Sequence, residues 1–361
     1  MRSLVVCFLF AALVSAQSST SNSAPASDKP AAAKAASAQS EQEPTHTIRV
    51  QVNEVIVPVT VTDEKGRFVN DLDRKDFRIF DEGREQKISF FTRERGQPVV
   101  VGFLIDLSNS NRLHWNTYQE AALDLVNNLL PGDTKKYQGY LIGYSNEAEL
   151  QVNTTEDPER LMEKIRKMKP GGGSALFDAI YMSCTSRHLV KGEPIEPRRV
   201  IVIMGDGHDN ASKHTLDQVI EIAQRNLVSI YAVSTTGFGF VSEGDANLER
   251  LTNETGGRVE YPLQGTYKDV DGYLSKPSDD GNYALTVGTG GYAAAIAQGI
   301  FKSIANVAGE VTTQYIIRYV PDVPDSRPKQ FRNIRVQVAL ENVKVRARRG
   351  YYPEEVIPIS K

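Results

Sequence analysis

VVVGFLIDLSNS, Val99 to Ser110, is an apolar run that ends in one carboxylate followed by hydroxyls at alternate positions. An uninterrupted run of this kind is what a parallel strand covered on both faces looks like. Asp106, Ser108 and Ser110 therefore leave the sheet at its C-terminal edge, the edge at which open α/β sheets hold ligands. Outward from this run the chain alternates strands with helical stripes. Strands are expected at Val99 to Ile105, Tyr137 to Tyr144, Ala148 to Val152 as an antiparallel edge, Arg199 to Met204, Val228 to Val233 and Arg258 to Tyr261. Tyr118, Ala122, Leu125 and Leu129 make one helical stripe. Asp157-Pro158-Glu159 is a helix start with a cap, a proline in the first turn and an acid beside it, and Thr215 with Gln218 is a capping box. Right-handed crossovers then give a doubly wound sheet.

Two further pieces reach the same edge or the loops beside it: Gly171-Gly172-Gly173-Ser174, and Gly205-Asp206-Gly207-His208-Asp209-Asn210. With Asp106, Ser108 and Ser110 they offer two strand-end carboxylates and three hydroxyls, all hard oxygen donors. Hard donors carrying little charge suit Mg²⁺ or Mn²⁺, with water completing the shell. Ser174 should open the helix that carries Leu176 and Ile180, and Asp209 is read as a cap for the turn that follows it, ahead of an acceptor on the outside of the site. His208 and His214 are read as exposed loop histidines, because a zinc site wants three or four nitrogen or sulfur ligands.

These residues resemble the von Willebrand factor A (VWA) domain and its metal-ion-dependent adhesion site. That family carries Asp-x-Ser-x-Ser after its first strand, a Thr in a Gly-rich loop and an Asp before Gly after its fourth strand. The matching positions are Asp106, Ser108 and Ser110, then Ser174 in the threonine's place, then Asp206. The resemblance implies that the hydroxyls bind the metal directly and the aspartates largely through water. It also implies that one coordination position is left for a partner's carboxylate. The flanks, DRKDFRIFDEG before and FRNIRVQV with VRARRGYY after, resemble the VWFA-related proteins described from Acidobacteria. The bacterial source this implies leaves the sequons at Asn153, Asn210 and Asn253 without a role.

The fold class expected is thus α/β: a doubly wound, mostly parallel VWA (Rossmann-like) sheet inserted in a small β-sandwich built from both flanks. Residues 46–96 and 310–361 alternate with strand period, and neither flank has enough strands to stand alone. The VWA region is expected at 97–309. VRARRGYY is read as a strand with solvated arginines. Residues 1–16 have a cationic start, a short apolar core and small residues at the end, the pattern of a signal peptide; the apolar run falls short of the roughly 20 residues of a spanning helix. Residues 17–45 are Ser, Ala, Gln and Lys with almost no large apolar side chain, the composition of a disordered linker. A secreted or periplasmic protein with no membrane span in its mature chain is expected. Cys7 leaves with the leader, and Cys184, on a helical stripe with Leu176 and Ile180, is read as a small buried hydrophobe.

A formal charge of -3 over 361 residues excludes the concentrated basic field of a nucleic-acid binder. Gly-x-Ser-x-Gly, a lysine after the Gly-rich loop, and a second Asp two residues after Asp106 are all lacking, so hydrolase, nucleotide hydrolase and phosphatase patterns are not met. The sequence therefore reads as a non-enzymatic, metal-dependent binding module for a protein that presents an acidic residue, ahead of a metal-dependent hydrolase or a purely structural envelope scaffold. An insertion over residues 262–292, rich in Gly, Asp and Tyr, is longer than an ordinary connection. It is expected to border the metal site, with Tyr267, Tyr273 and Tyr283 as contact residues.

Overall fold

A sheet buried on both faces needs helices above and below it, and the chain supplies them in alternation. The computed structural model describes residues 54–93, 98–132, 135–186, 198–235, 243–262, 289–322 and 330–353. The expected leader and linker, and most of the 262–292 insertion, lie outside them. The N-terminal flank forms β1 (Val55–Asp63), β2 (Phe77–Asp81), β3 (Arg84–Gln86) and β4 (Ile88–Thr92). The middle forms β5 (Val99–Asp106), α1 (Trp115–Leu129), β6 (Tyr137–Tyr144), β7 (Ala148–Thr155), α2 (Pro158–Lys167), α3 (Leu176–Thr185) and β8 (Arg198–Gly205). It continues with α4 (Leu216–Arg225), β9 (Val228–Ser234), α5 (Glu243–Thr255), β10 (Val259–Glu260) and α6 (Thr289–Thr313). The C-terminal flank forms β11 (Tyr315–Tyr319), β12 (Arg332–Val338), β13 (Val343–Ala347) and β14 (Gly350–Tyr351).

The central sheet has the order β10-β9-β8-β5-β6-β7 and is parallel except for β7, which pairs antiparallel with β6. The apolar run beginning at Val99 is its inner strand, buried along its whole length. Val101, Phe103 and Ile105 pack on one face with Leu125 and Leu129 of α1, Leu161 and Ile165 of α2, and Ile304 and Val307 of α6. Val100 and Leu104 pack on the other with Leu176 and Ile180 of α3, Val219 of α4 and Leu248 of α5. At about 1.5–3 kcal/mol for each fully buried large apolar side chain, these two layers fix the strand in place. Local signals set the helix starts: Asp157 caps α2 by accepting from the Glu159 N–H, and Thr215 and Gln218 cap α4 reciprocally.

The two flanks meet. β1 lies between β11 and β13, with β4 beyond β11, and the second sheet runs β14-β12-β2-β3. Val57, Val59, Ile79, Ile317 and Tyr319 are buried in the core that both antiparallel sheets share. The rings of Phe77, Phe91 and Tyr315 pack there with centroids 5.0–5.7 Å apart.

At the N-terminal edge of the central sheet a polar seam joins it to the flanks. Gln314, the single residue between α6 and β11, donates to Thr60 Oγ1 at 3.0 Å and to the Tyr231 hydroxyl at 2.8 Å. Arg346 reaches the fully buried Glu310 at 3.3 Å, which Arg258 approaches at 3.4 Å. Arg348 is buried and donates to the Gly350 and Gln224 carbonyls; burial pushes its guanidinium down to about 10. The expectation of solvated arginines in VRARRGYY is thus corrected for Arg346 and Arg348, which the chain uses to tie β13 and the residues after it to α6 and α4.

Cys184 is a free, buried thiol packed on α3's inner face, and burial pushes it up to about 12. Alkylation needs the thiolate. Native protein treated with iodoacetamide at pH 8 is therefore expected to stay unlabelled at Cys184 and to label fully in denaturant, as read by intact mass. No helix among the described residues is long and apolar enough to cross a membrane.

Candidate functional site

The C-terminal ends of β5, β6 and β8 lie side by side, with Asp106 opposite Tyr144 in the parallel register. Asp106 ends β5 and is buried. Its Oδ1 accepts from the Ser108 N–H at 2.7 Å, and the Ser108 and Ser110 hydroxyls stand 2.7 Å apart. Asn111 Nδ2 donates to the Asp106 carbonyl at 3.3 Å. Asp206 follows β8 directly; its Oδ1 accepts from the His208 N–H at 3.0 Å, and the His208 ring Nδ1 lies 3.3 Å from the same oxygen.

The Gly-rich loop is fastened to both neighbours. Gly171 N–H donates to the Leu107 carbonyl, Asn109 N–H to the Gly172 carbonyl, and Gly173 N–H to Asn146 Oδ1. Ser174 is buried; its N–H donates to Asn210 Oδ1 at 2.8 Å and its hydroxyl to the His208 carbonyl at 2.7 Å. Asp106, Ser108, Ser110, Ser174 and Asp206 thus gather around one edge of the sheet. Tyr267, Tyr273 and Tyr283 lie outside the described residues.

Ser174 stands immediately before α3, whose N-cap residue is Ala175 and makes no side-chain cap. The first turn is satisfied from across the site, where Asp209 Oδ2 accepts from the Phe177 N–H at 2.9 Å and Ser212 Oγ from the Asp178 N–H at 2.9 Å. Asp209 also closes its own turn by accepting from the Ser212 N–H. His214 is not an exposed loop residue. Its Nδ1 lies 2.6 Å from Asp178 Oδ1 and its ring stacks on Tyr181 at 3.7 Å. Burial works to raise the Asp178 carboxyl, but hydrogen bonds from His214 and the Lys213 N–H outweigh it and hold it below its usual range. His208, by contrast, is exposed.

The electrostatics centre on Asp106. Burial, and then the negative charge of Asp206, push its carboxyl up to about 7, against the opposing bonds from Ser108 and the Asp206 N–H. Its second oxygen, Oδ2, is buried and has no hydrogen-bond partner, which is costly for an acceptor of this kind. Among the described residues no three His, Cys, Asp or Glu side chains converge as a metal-ligating group. The groups brought to this edge are two carboxylates and three hydroxyls. A divalent cation fits them: its charge would offset the repulsion between the two acids.

Sequence reasoning gave Asn146, Asn210 and Tyr144 no role in the site. The first two hold the Gly-rich loop through their side-chain oxygens, and nothing in the spacing of an isolated Asn signals a partner tens of residues away.

Residues 101–264 match the von Willebrand factor type A domain family. This stretch is a VWA domain. Domains of this class are often metal-dependent protein-interaction modules and are generally non-enzymatic. The chain is 27% identical over 169 residues to an uncharacterized protein of Borreliella burgdorferi, a match covering 46% of this chain and 43% of the relative, so the chain spans less than half of that relative's length. Among solved structures it is similar to the conserved hypothetical protein BatB of Bacteroides thetaiotaomicron, at 15% identity over 45% of this chain and 88% of that one, with a TM-score of 0.36. It is also similar to proximal thread matrix protein 1 from the mussel byssus, at 16% identity over 47% of this chain and 43% of that one, with a TM-score of 0.37; that structure has a zinc-occupied metal-ion-dependent adhesion site.

Proposed function

We propose that this VWA domain binds a protein partner through a divalent cation, Mg²⁺ or Mn²⁺, held by Ser108, Ser110 and Ser174, with Asp106 and Asp206 acting largely through water. The observation that carries the reading is the pair of carboxylates, Asp106 buried and pushed up by the charge of Asp206, set beside the Ser108, Ser110 and Ser174 hydroxyls at the sheet's C-terminal edge. A cation held by so few charges stays electrophilic, and an acidic side chain of the partner would complete its shell. The reading is binding without turnover. The leader pattern of residues 1–16 supports action outside the cytoplasm, and residues 262–292, through Tyr267, Tyr273 and Tyr283, are proposed to set partner choice.

Titration calorimetry with Mg²⁺ and Mn²⁺ tests it. Wild-type protein is expected to bind one equivalent, and Asp106→Ala or Asp206→Ala to abolish binding with far-UV circular dichroism unchanged. Equal affinity in wild type and both variants would overturn the assignment. Pull-down from envelope extract, with and without chelator, then reads the partner: capture should need both the cation and Asp206.

A further inference from the structure

Asp106 Oδ2 is not the only buried atom without a partner at this edge. Tyr144 ends β6, is fully buried, and packs on the face of the sheet that carries Tyr140 and Ile142. Its hydroxyl has no hydrogen-bond partner. The two orphaned oxygens face the same small space above β8. A Cβ on Gly205 would collide with the Tyr144 hydroxyl and would stand 2.9 Å from Asp106 Cβ and 3.0 Å from Asp106 Oδ2. Gly205 is therefore side-chain-free because the phenol, reaching from β6 toward β8, and the carboxylate of β5 occupy that volume together.

A phenol is a donor and a carboxylate oxygen an acceptor. The terminal torsion of an aspartate is broad, so the carboxylate can turn toward the phenol. We infer that Tyr144 is a positioning residue whose hydroxyl donates to Asp106 Oδ2, holding the inner oxygen while the Ser108 N–H holds the outer one. The carboxylate is then gripped from both sides. Its consequence for cation binding rests on the proposed function above; the bond itself does not.

Tyr144→Phe keeps the ring and removes only the donor. It is expected to lower Mg²⁺ or Mn²⁺ affinity by ten- to a hundredfold, the range for losing a group that holds a metal-binding carboxylate, with thermal unfolding still cooperative. A merely structural role would not move a second readout, the ¹³Cζ resonance of Tyr144 in tyrosine-labelled protein. That resonance, assigned by its loss in Tyr144→Phe, should shift between wild type and Asp106→Asn in metal-free protein. Wild-type affinity in Tyr144→Phe together with an unmoved resonance overturns the inference. Should wild type bind no cation, the cation reading falls and the resonance alone decides: a shift upholds the pairing, and its absence ends it.

Discussion

Removing residues 314–361 is expected to leave residues 54–93 open to protease within minutes, while the intact chain resists. The cause is pairing. β1 has β11 along one edge, from Val55 opposite Tyr319 to Val59 opposite Tyr315, and β13 along the other, from Val59 opposite Ala347 to Asp63 opposite Val343. The truncation strips both edges at once, takes β12 from β2, and removes Ile317, Tyr319 and Ile334 from the shared core. What remains is a few strands without a packed face, an assembly marginal at best in water. Mass spectrometry of the fragments checks the result: cleavage sites confined to places also cut in the full chain would show that the N-terminal strands stand without their partners.

Arg332→Ala should be the most damaging single change in the sandwich, at about 3–5 kcal/mol. Asp81 is fully buried, and Arg332 approaches its Oδ1 through two nitrogens, each at 2.9 Å. The hydroxyls of Tyr319 and Tyr351 donate to Oδ2, each at 3.0 Å, and burial pushes both phenols up so that they remain donors. The variant keeps those two bonds but leaves a buried negative charge with no cation beside it. Urea denaturation measures the loss, and a second variant identifies its source. Asp81→Asn placed on top of Arg332→Ala removes the stranded charge and should recover part of the stability; a double variant as unstable as the sum of the singles would put the cost elsewhere.

The central sheet was legible because its strands carry their burial in the sequence. Val99 to Ile105 is a continuous apolar run and Val228 to Val233 is interrupted only by Ser229; the observed strands β5 and β9 extend them by one residue each. The caps at Asp157 and Thr215 were readable for a related reason, since their partners lie two and three residues on. The order of the carboxylates and hydroxyls was readable as a pattern because each donor follows a strand or a Gly-rich turn. Groups whose roles depend on distant partners were not readable. Arg346 meets Glu310 across 36 residues of sequence and Arg348 meets the Gln224 carbonyl across 124, so both looked like ordinary charges on a strand. His214 finds Asp178 36 residues back, and Tyr144 meets Gly205 only when β6, β5 and β8 lie side by side. Asp209 showed half of itself: the turn to Ser212 is local, but the bond to the Phe177 N–H is made across the site.

Because β5 through α6 are inserted between strands of one sandwich, the described chain both enters and leaves through that sandwich, at β1 and at β14. Tension applied between Glu54 and Tyr352 would run through the antiparallel ladders of β1 with β11 and β13 and of β12 with β2 and β14. The six-stranded sheet lies off that line of force. Its anchorage is the seam around Gln314, Glu310 and Arg348 at one end, whereas Asp106 and Asp206 stand at the other. A pull on the flanks would shear the sandwich first and leave the carboxylates at the far edge in their unloaded geometry.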